Sequence, residues 1–236
     1  MPFISKLYFS PVKSLSFQSI SKCEIVKNIG IKNDREIAFT RNADFEFSKL
    51  LEKDSYIRNH KDFLSLKNTV ALNKYSFYLE GKKLTLFDQE SKIIEINLDN
   101  QHEHDLLCKK LVEIEETIKE PTYLLQNKEF PFFDTTHSKE THNTISLINI
   151  NSIKDFENKI DRKIEMSTFR GNLYFDGIEA WEERNWIGKT LKINNVLFKV
   201  EKNIPRCVAI NLKPKTDDNS FNLLKTLKET YDHYDM

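Results

Sequence analysis

Residues 75–87 read YSFYLEGKKLTLF, and this stretch indicates the type of fold. In its first half the apolar residues Phe77 and Leu79 alternate with polar ones, as in a strand with one buried face. Leu84 and Leu86 repeat the alternation after a polar turn that contains a glycine. The stretch therefore predicts a β-hairpin.

Short runs of β-forming residues, separated by turn-forming residues, make up much of the first hundred residues. These further runs are Ile4–Phe9, Cys23–Lys27, Arg35–Thr40, Thr69–Leu72 and Ile93–Leu98. Their spacing predicts antiparallel sheets or a barrel. The charged and irregular segment 49–68 is expected to form a loop or a short helix.

Apolar residues recur every three or four positions in three later segments, which predicts amphipathic helices. The first helix begins near His104. The second spans about Ser152–Ile160, with Ser152 as its N-cap, and the third spans about Ser220–Tyr231. Lys189–Ile193 and Val196–Glu201 form a second predicted hairpin. The fold class predicted from these elements is mainly β with a few helices (α+β).

The composition excludes several classes of function. With 36 basic and 36 acidic residues, the chain lacks the overall positive field of a nucleic-acid-binding protein. Its longest apolar stretches, such as Ile93–Leu98, are far shorter than the roughly 20 residues of a membrane span. Cys23, Cys108 and Cys207 are too widely spaced for a zinc ribbon or a disulfide scaffold. The N-terminus does not resemble a secretion signal, so we expect a cytoplasmic protein without nucleic-acid or membrane partners.

Residues 202–216, KNIPRCVAINLKPKT, contain the leading candidate for a reactive side chain. Cys207 follows a strand, a proline and Arg206, and the positive charges of Arg206 and Lys202 favour its thiolate form. A thiolate is a soft ligand that suits a transition metal. A buried structural cysteine is the alternative that these residues leave open.

Three short segments place basic residues beside predicted strands: PVKS (11–14), NDRE (33–36) and FRGN (169–172). Their side chains and Arg206 could converge on one anion, because guanidinium and ammonium groups match phosphate oxygens. The basic residues concerned are Lys13, Arg35, Arg170 and Arg206. Taken one at a time, each is more typical of a solvated charge or a structural ion pair than of an anion site.

The remaining candidates favour structural interpretations. The cluster His102–His104 is more typical of a polar helix start than of a metal site, because alternate residues point to different helix faces. His137 and His142 lie in a predicted exposed loop. Trp181 and Trp186 are expected to be core and rim aromatics.

Taken together, in order and spacing, these motifs resemble the MOSC domain family, which includes the amidoxime-reducing component and the C-terminal region of molybdenum cofactor sulfurase. The segments that carry the resemblance are YFSPVKSL (8–15), NDRE (33–36), ISLINI (145–150), FRGNLYFDG (169–177), AWEERNWIGKTLKI (180–193) and PRCVAINLKPKT (205–216).

The resemblance implies two domains: a MOSC N-terminal β-barrel domain over 1–115, packed on a MOSC β-barrel domain over 116–236. Relatives continue through further strands where this chain ends, and a C-terminal truncation is one explanation of that difference. After the cysteine, Lys213 and Lys215 replace two acidic residues of the family pattern. A changed substrate charge preference and surface drift are both open explanations.

The resemblance also implies a molybdenum cofactor, whose pterin dithiolene bears a phosphate. Cys207 would be the protein ligand of the metal and the catalytic residue. The residues expected to hold the cofactor are Lys13, Ser14, Arg35, Arg170, Asn172 and Arg206.

By analogy with the amidoxime-reducing members, the reaction would be the two-electron reduction of an N-hydroxylated small molecule. The chain has no cysteine cluster for an iron–sulfur centre, so a separate ferredoxin-like or cytochrome-like donor is expected. One alternative is a protein that carries the cofactor or a persulfide without turning over a substrate. The other is a degenerate fold that holds no cofactor. A pyridoxal-phosphate domain is not expected, because the two MOSC regions account for the chain.

Overall fold

The computed structural model describes residues 2–41, 43–119, 121–133 and 144–236. Its α-helices are α1 (Phe45–Lys53), α2 (Gln101–Ile114), α3 (Ile150–Lys159) and α4 (Leu223–Tyr231). Its strands are β1 (Phe3–Phe9), β2 (Gln18–Ile20), β3 (Ile25–Val26), β4 (Gly30–Ile31), β5 (Ile37–Phe39), β6 (Tyr75–Glu80), β7 (Lys83–Asp88), β8 (Ser91–Asn97), β9 (Leu124–Gln126), β10 (Leu147–Asn149), β11 (Leu173–Asp176), β12 (Thr190–Ile193) and β13 (Val196–Lys199). Short 3₁₀ segments occur at His60–Asp62, Val70–Lys74, Met166–Phe169, Glu182–Trp186 and Val208–Asn211.

The predicted fold class, mainly β with a few helices, is confirmed. Over the described residues the strands form several small sheets, and none of these closes into a barrel. The chain divides into two compact units. Unit 1 comprises Met1–Leu7, Ser146–Asn211 and Asn219–Met236, and unit 2 comprises Tyr8–Ile145 and Leu212–Asp218. The assignment of 1–115 and 116–236 to two domains stays a prediction from the resemblance.

Unit 2 is built around the predicted hairpin. β6, β7 and β8 form an antiparallel meander in which Phe77 pairs with Leu86, and Leu79 pairs with Leu84. All four side chains are buried, which confirms the alternation read from the sequence. Helix α2 packs on β8, and β5 pairs with β9. A second group of buried residues surrounds the β5–β9 pair: Ala38, Leu51, Phe63, Leu125 and Phe132.

Two predictions in unit 2 differ from the structure. The predicted strand Thr69–Leu72 is wrong, because local turn bonds, such as Leu72 N–H to the Thr69 carbonyl at 3.1 Å, fold Val70–Lys74 into a 3₁₀ segment. The helix expected from His104 begins three residues earlier, where the Asn100 side chain accepts a hydrogen bond from a main-chain N–H of the first turn.

Unit 1 contains a sheet in which β10 runs parallel to β11, and β11 pairs antiparallel with the first residues of β1. Helix α3 packs against β10 and β11, and it also contacts α4. The predicted hairpin is confirmed as β12–β13, with Asn194 at a left-handed φ of 54° in its turn. The N-cap of α3 is Asn149 rather than Ser152, because the Ser152 hydroxyl donates to Glu183 at 2.6 Å.

No helix in the described ranges is both long enough and apolar enough to cross a membrane.

Candidate functional site

The PVKS motif forms a turn beside β5 in unit 2. The Lys13 N–H donates to the Ile37 carbonyl at 2.7 Å, and Ser14 takes a left-handed φ of 58°. The Lys13 side chain is only 3% exposed, and its Nζ donates to the Phe132 carbonyl at 3.2 Å. The ammonium group is therefore buried beside a carbonyl oxygen. Contact of Lys13 and Ser14 with a cofactor phosphate stays a prediction.

In the NDRE motif, Arg35 is held by the neighbouring residue Asp34. Arg35 has a left-handed φ of 57°, and its guanidinium pairs with the buried carboxylate of Asp34. The rings of Phe17 and Phe133 lie 5.4 and 5.1 Å from the guanidinium carbon, within the range of cation–π attraction. The other Asp34 oxygen accepts the Ser10 N–H at 2.8 Å, which joins this motif to the segment preceding PVKS.

The FRGN motif connects the 3₁₀ segment Met166–Phe169 to β11 in unit 1. Arg170 ends the 3₁₀ segment in the left-handed region, with a φ of 55°. Asn172 is 1% exposed, and its Oδ1 accepts hydrogen bonds from the N–H and the hydroxyl of Ser146 at 3.2 and 2.9 Å. The Ser146 hydroxyl accepts the Asn172 N–H in return, at 2.9 Å. Asn172 therefore fixes the start of β11 against the residue that precedes β10.

A residue larger than glycine at position 171 would crowd a side chain of β10. A Cβ there would lie 2.4 Å from Cδ1 and 2.9 Å from Cγ1 of the buried Ile148. The Gly171 N–H donates to the Tyr174 hydroxyl at 3.0 Å, and that hydroxyl donates to the Met166 carbonyl at 2.8 Å. The loop therefore makes a close approach to β10 that depends on the missing side chain.

Arg206, in the PRC motif, donates hydrogen bonds from all three guanidinium nitrogens to main-chain oxygens. Nη1 donates to Phe169 at 2.9 Å, Nη2 to Met236 at 2.7 Å, and Nε to Ile204 at 3.2 Å. Burial lowers the pKa of the guanidinium, because the charged form loses hydration. This arrangement links the PRC motif to FRGN within unit 1.

Cys207 is half-buried and forms no disulfide. Its carbonyl accepts the Ile210 N–H at 3.1 Å, which begins the 3₁₀ segment Val208–Asn211. The other two cysteines belong to unit 2. Burial raises the pKa of Cys108 to about 12 and also raises that of Cys23, so both favour the neutral thiol.

The structure brings the predicted residues together in two groups. Arg170, Asn172, Arg206 and Cys207 lie in unit 1, where the 3₁₀ segment that precedes Arg170 contacts the one that follows Cys207. Lys13, Ser14 and Arg35 lie in unit 2.

The histidine cluster lies in the first turn of α2. Glu103 accepts hydrogen bonds from the Asn97 N–H and the Asn100 side chain, and the buried His104 contacts the Leu98 carbonyl through Nε2 at 3.0 Å. His137 and His142 lie outside the described residues. In the part of the chain that the structure describes, no three His, Cys, Asp or Glu side chains form a group suited to a metal ion.

Sequence reasoning missed a carboxylate that organises the aromatic residues of unit 1. Asp155 accepts hydrogen bonds from Trp181 Nε1 and from the Tyr231 hydroxyl, both at 2.7 Å, while Lys159 lies 3.0 Å away. The two rings lie 4.3 Å apart. Trp186 stacks on Phe175 instead, and both tryptophans are half-buried, so neither is fully buried in the core. The periodicity of α3 could not identify Asp155, because its partners are far away in the sequence.

Part of the chain matches a known domain family. Residues 134–234 match the family model of the MOSC domain, a range that contains FRGN, Arg206 and Cys207. The resemblance to the MOSC domain family is thereby confirmed.

Two relatives carry a more particular name. Mitochondrial amidoxime reducing component 2 of Rattus norvegicus is 34% identical over 92 residues, which cover 39% of this chain and 25% of that protein. The Bos taurus protein of the same name is 27% identical over 109 residues, which cover 45% of this chain and 31% of that protein. The matched region therefore spans about a quarter to a third of each relative.

Proposed function

We propose that this chain binds a molybdenum cofactor through Cys207 and reduces N-hydroxylated small molecules with electrons from a separate donor protein. The observation that carries the proposal is the placement of Cys207, a half-buried free thiol in a segment linked to FRGN, inside the range that matches the MOSC domain. The substrate class follows the name of the relatives, which are amidoxime reducing components. A cytoplasmic location belongs to the same proposal.

The donor chemistry of unit 1 fits such a cofactor. Cys207, a half-buried residue, is the cysteine that this unit contributes, and its sulfur is a soft donor of the kind that transition metals select. A single thiolate suits a metal whose remaining ligands come from an organic group such as a dithiolene. Cys108 does not suit this role, because burial keeps it protonated.

The cofactor, when bound, supplies the two-electron redox chemistry at its metal, while the protein supplies ligation, orientation and access. Cys207 would donate its sulfur to the metal. Arg170 would present its guanidinium from the left-handed end of a 3₁₀ segment, at a loop whose backbone Asn172 fixes. Contacts of Lys13, Ser14 and Arg35 with the pterin and its phosphate rest on the resemblance alone.

The test is reduction of a small amidoxime by the purified full chain, produced in a host that makes the cofactor and supplied with a chemical electron donor. We expect turnover that is lost in Cys207→Ser and retained in Cys23→Ser, the matched control in unit 2. Bound molybdenum without turnover would favour a carrier of the cofactor instead. Sulfane sulfur on Cys207 without molybdenum would favour a persulfide carrier.

A further inference from the structure

The environment of Arg206 differs from that of an anion-binding arginine. Its three guanidinium nitrogens each donate to a main-chain oxygen, and these oxygens belong to Phe169, Ile204 and Met236. An arginine that binds phosphate commonly directs two parallel N–H groups at the anion. Here three of the five guanidinium N–H groups, one on each nitrogen, donate to the protein's own backbone, and these bonds fix the orientation of the group.

The main chain on both sides of Cys207 is also fixed. The Arg206 N–H donates to the Tyr234 carbonyl at 2.8 Å, beside a bridge between Pro205 and Asp235. On the other side, the Cys207 carbonyl accepts the Ile210 N–H. The thiol therefore projects from a short stretch of backbone with hydrogen bonds before and after it.

Arg58, which is in no predicted site, shows the same arrangement in unit 2. Its guanidinium donates to the carbonyls of Leu51, Glu52 and Phe130 at 2.6–2.9 Å, and so ties the end of α1 to a distant loop. Both arginines therefore join separate segments of backbone through main-chain oxygens bound to all three guanidinium nitrogens.

We propose that Arg206 is a positioning residue that fixes the backbone of Cys207 against FRGN and the segment 234–236, rather than a ligand of the cofactor phosphate. This inference rests on the proposed role of Cys207 as the metal ligand. It assigns Arg206 a task that depends on the shape of the guanidinium and not on its positive charge alone. Lysine keeps the charge, but its three N–H donors share one nitrogen, so it cannot reproduce contacts that spread over Nε, Nη1 and Nη2.

Hydrogen exchange in the metal-free full chain tests this assignment. We expect the amides of 206–210 to exchange at least tenfold faster in both Arg206→Lys and Arg206→Gln than in the wild type. The amides of β6–β8 in unit 2 should be unchanged, and so should the whole profile of Arg162→Lys. Arg162 is the matched control, because its guanidinium packs on Phe221 in unit 1 without these carbonyl contacts. Wild-type exchange in Arg206→Lys, with fast exchange only in Arg206→Gln, would overturn the proposal in favour of a charge role.

A second measurement needs no variant and therefore does not depend on whether Arg206→Lys folds. The Nε–H resonance of Arg206 in the wild type is followed by NMR while inorganic phosphate is added. A resonance that stays protected from exchange and does not move supports the positioning role. A saturable shift with phosphate overturns it. Both experiments use metal-free protein, so their outcome is independent of whether the chain binds molybdenum.

Discussion

Replacement of Asn172 by alanine is the sharpest test of how the FRGN loop is built. The Asn172 side chain is 1% exposed, and its Oδ1 accepts the N–H and the hydroxyl of Ser146. Asn172→Ala removes this shared acceptor. It retains the bond from the Asn172 main-chain N–H to the Ser146 hydroxyl, because that donor belongs to the backbone.

The expected loss of stability follows from these two bonds. A buried donor left without a partner costs about 1–3 kcal/mol. The Ser146 hydroxyl can rotate to another acceptor but the Ser146 N–H cannot, and because Ser146 is only partly buried we expect the lower part of that range. Asn172→Ala should therefore lower the free energy of unfolding of unit 1 by about 1–2 kcal/mol.

Urea unfolding, followed through the tryptophans Trp181 and Trp186, measures this loss in unit 1 because both residues belong to it. The matched control is Asn185→Ala, which removes an exposed side chain whose amide donates to Glu182 at 3.0 Å. It should change the free energy of unfolding by less than about 0.5 kcal/mol. Equal unfolding curves for Asn172→Ala and the control would refute the structural role of Asn172.

Three further predictions concern neighbouring parts of the fold. Gly171→Ala should destabilise unit 1 by about 1–3 kcal/mol through overpacking, because the new Cβ would lie 2.4 Å from a buried isoleucine methyl; an unchanged urea midpoint would contradict this. Burial alone would raise the pKa of Asp155, but hydrogen bonds from Trp181 and Tyr231 hold it below its ordinary value. The stability this confers is full above the unfolded pKa of about 3.9 and is lost as the pH falls through the lower folded pKa. Tyr231→Phe should therefore cost about 1–2 kcal/mol at pH 7 and progressively less below pH 4; a deficit that stays constant in acid would argue against the Asp155 contact. Asn73→Ala should speed proteolysis within 212–218 severalfold, since the Asn73 amide donates to two carbonyls of that loop at 2.6 and 2.7 Å; cleavage at the wild-type rate would show that these bonds do not hold the loop.

The parts of the fold that local pattern determines were predictable. The hairpin of β6 and β7 follows from alternation over thirteen residues, and its register is the one that Phe77 and Leu79 indicate. The start of α3 was not predictable. Ser152 and Asp155 have the spacing of a capping box, which indicates that the helix is capped by Ser152. In the structure Ser152 donates to Glu183, and Asn149 caps the helix. A partner 31 residues away decides between the two caps.

The candidate site was likewise predictable only in part. The motifs around Cys207 could be identified from residue types and spacing, and the match to the MOSC domain confirms that resemblance. The environments of their side chains could not be predicted. Arg206 uses its donors on main-chain oxygens that include those of Phe169 and Met236, and Lys13 donates to the carbonyl of Phe132. Main-chain carbonyls from distant segments leave no signature in residue identity.

The most direct test of the central claim is the molybdenum content of the purified chain, measured by elemental analysis after expression in a host that makes the cofactor. The account predicts about one molybdenum per chain in the wild type and in Cys23→Ser, and loss of the metal in Cys207→Ser. Molybdenum absent from the wild type, or retained in a folded Cys207→Ser protein, would contradict the assignment of Cys207 as the metal ligand.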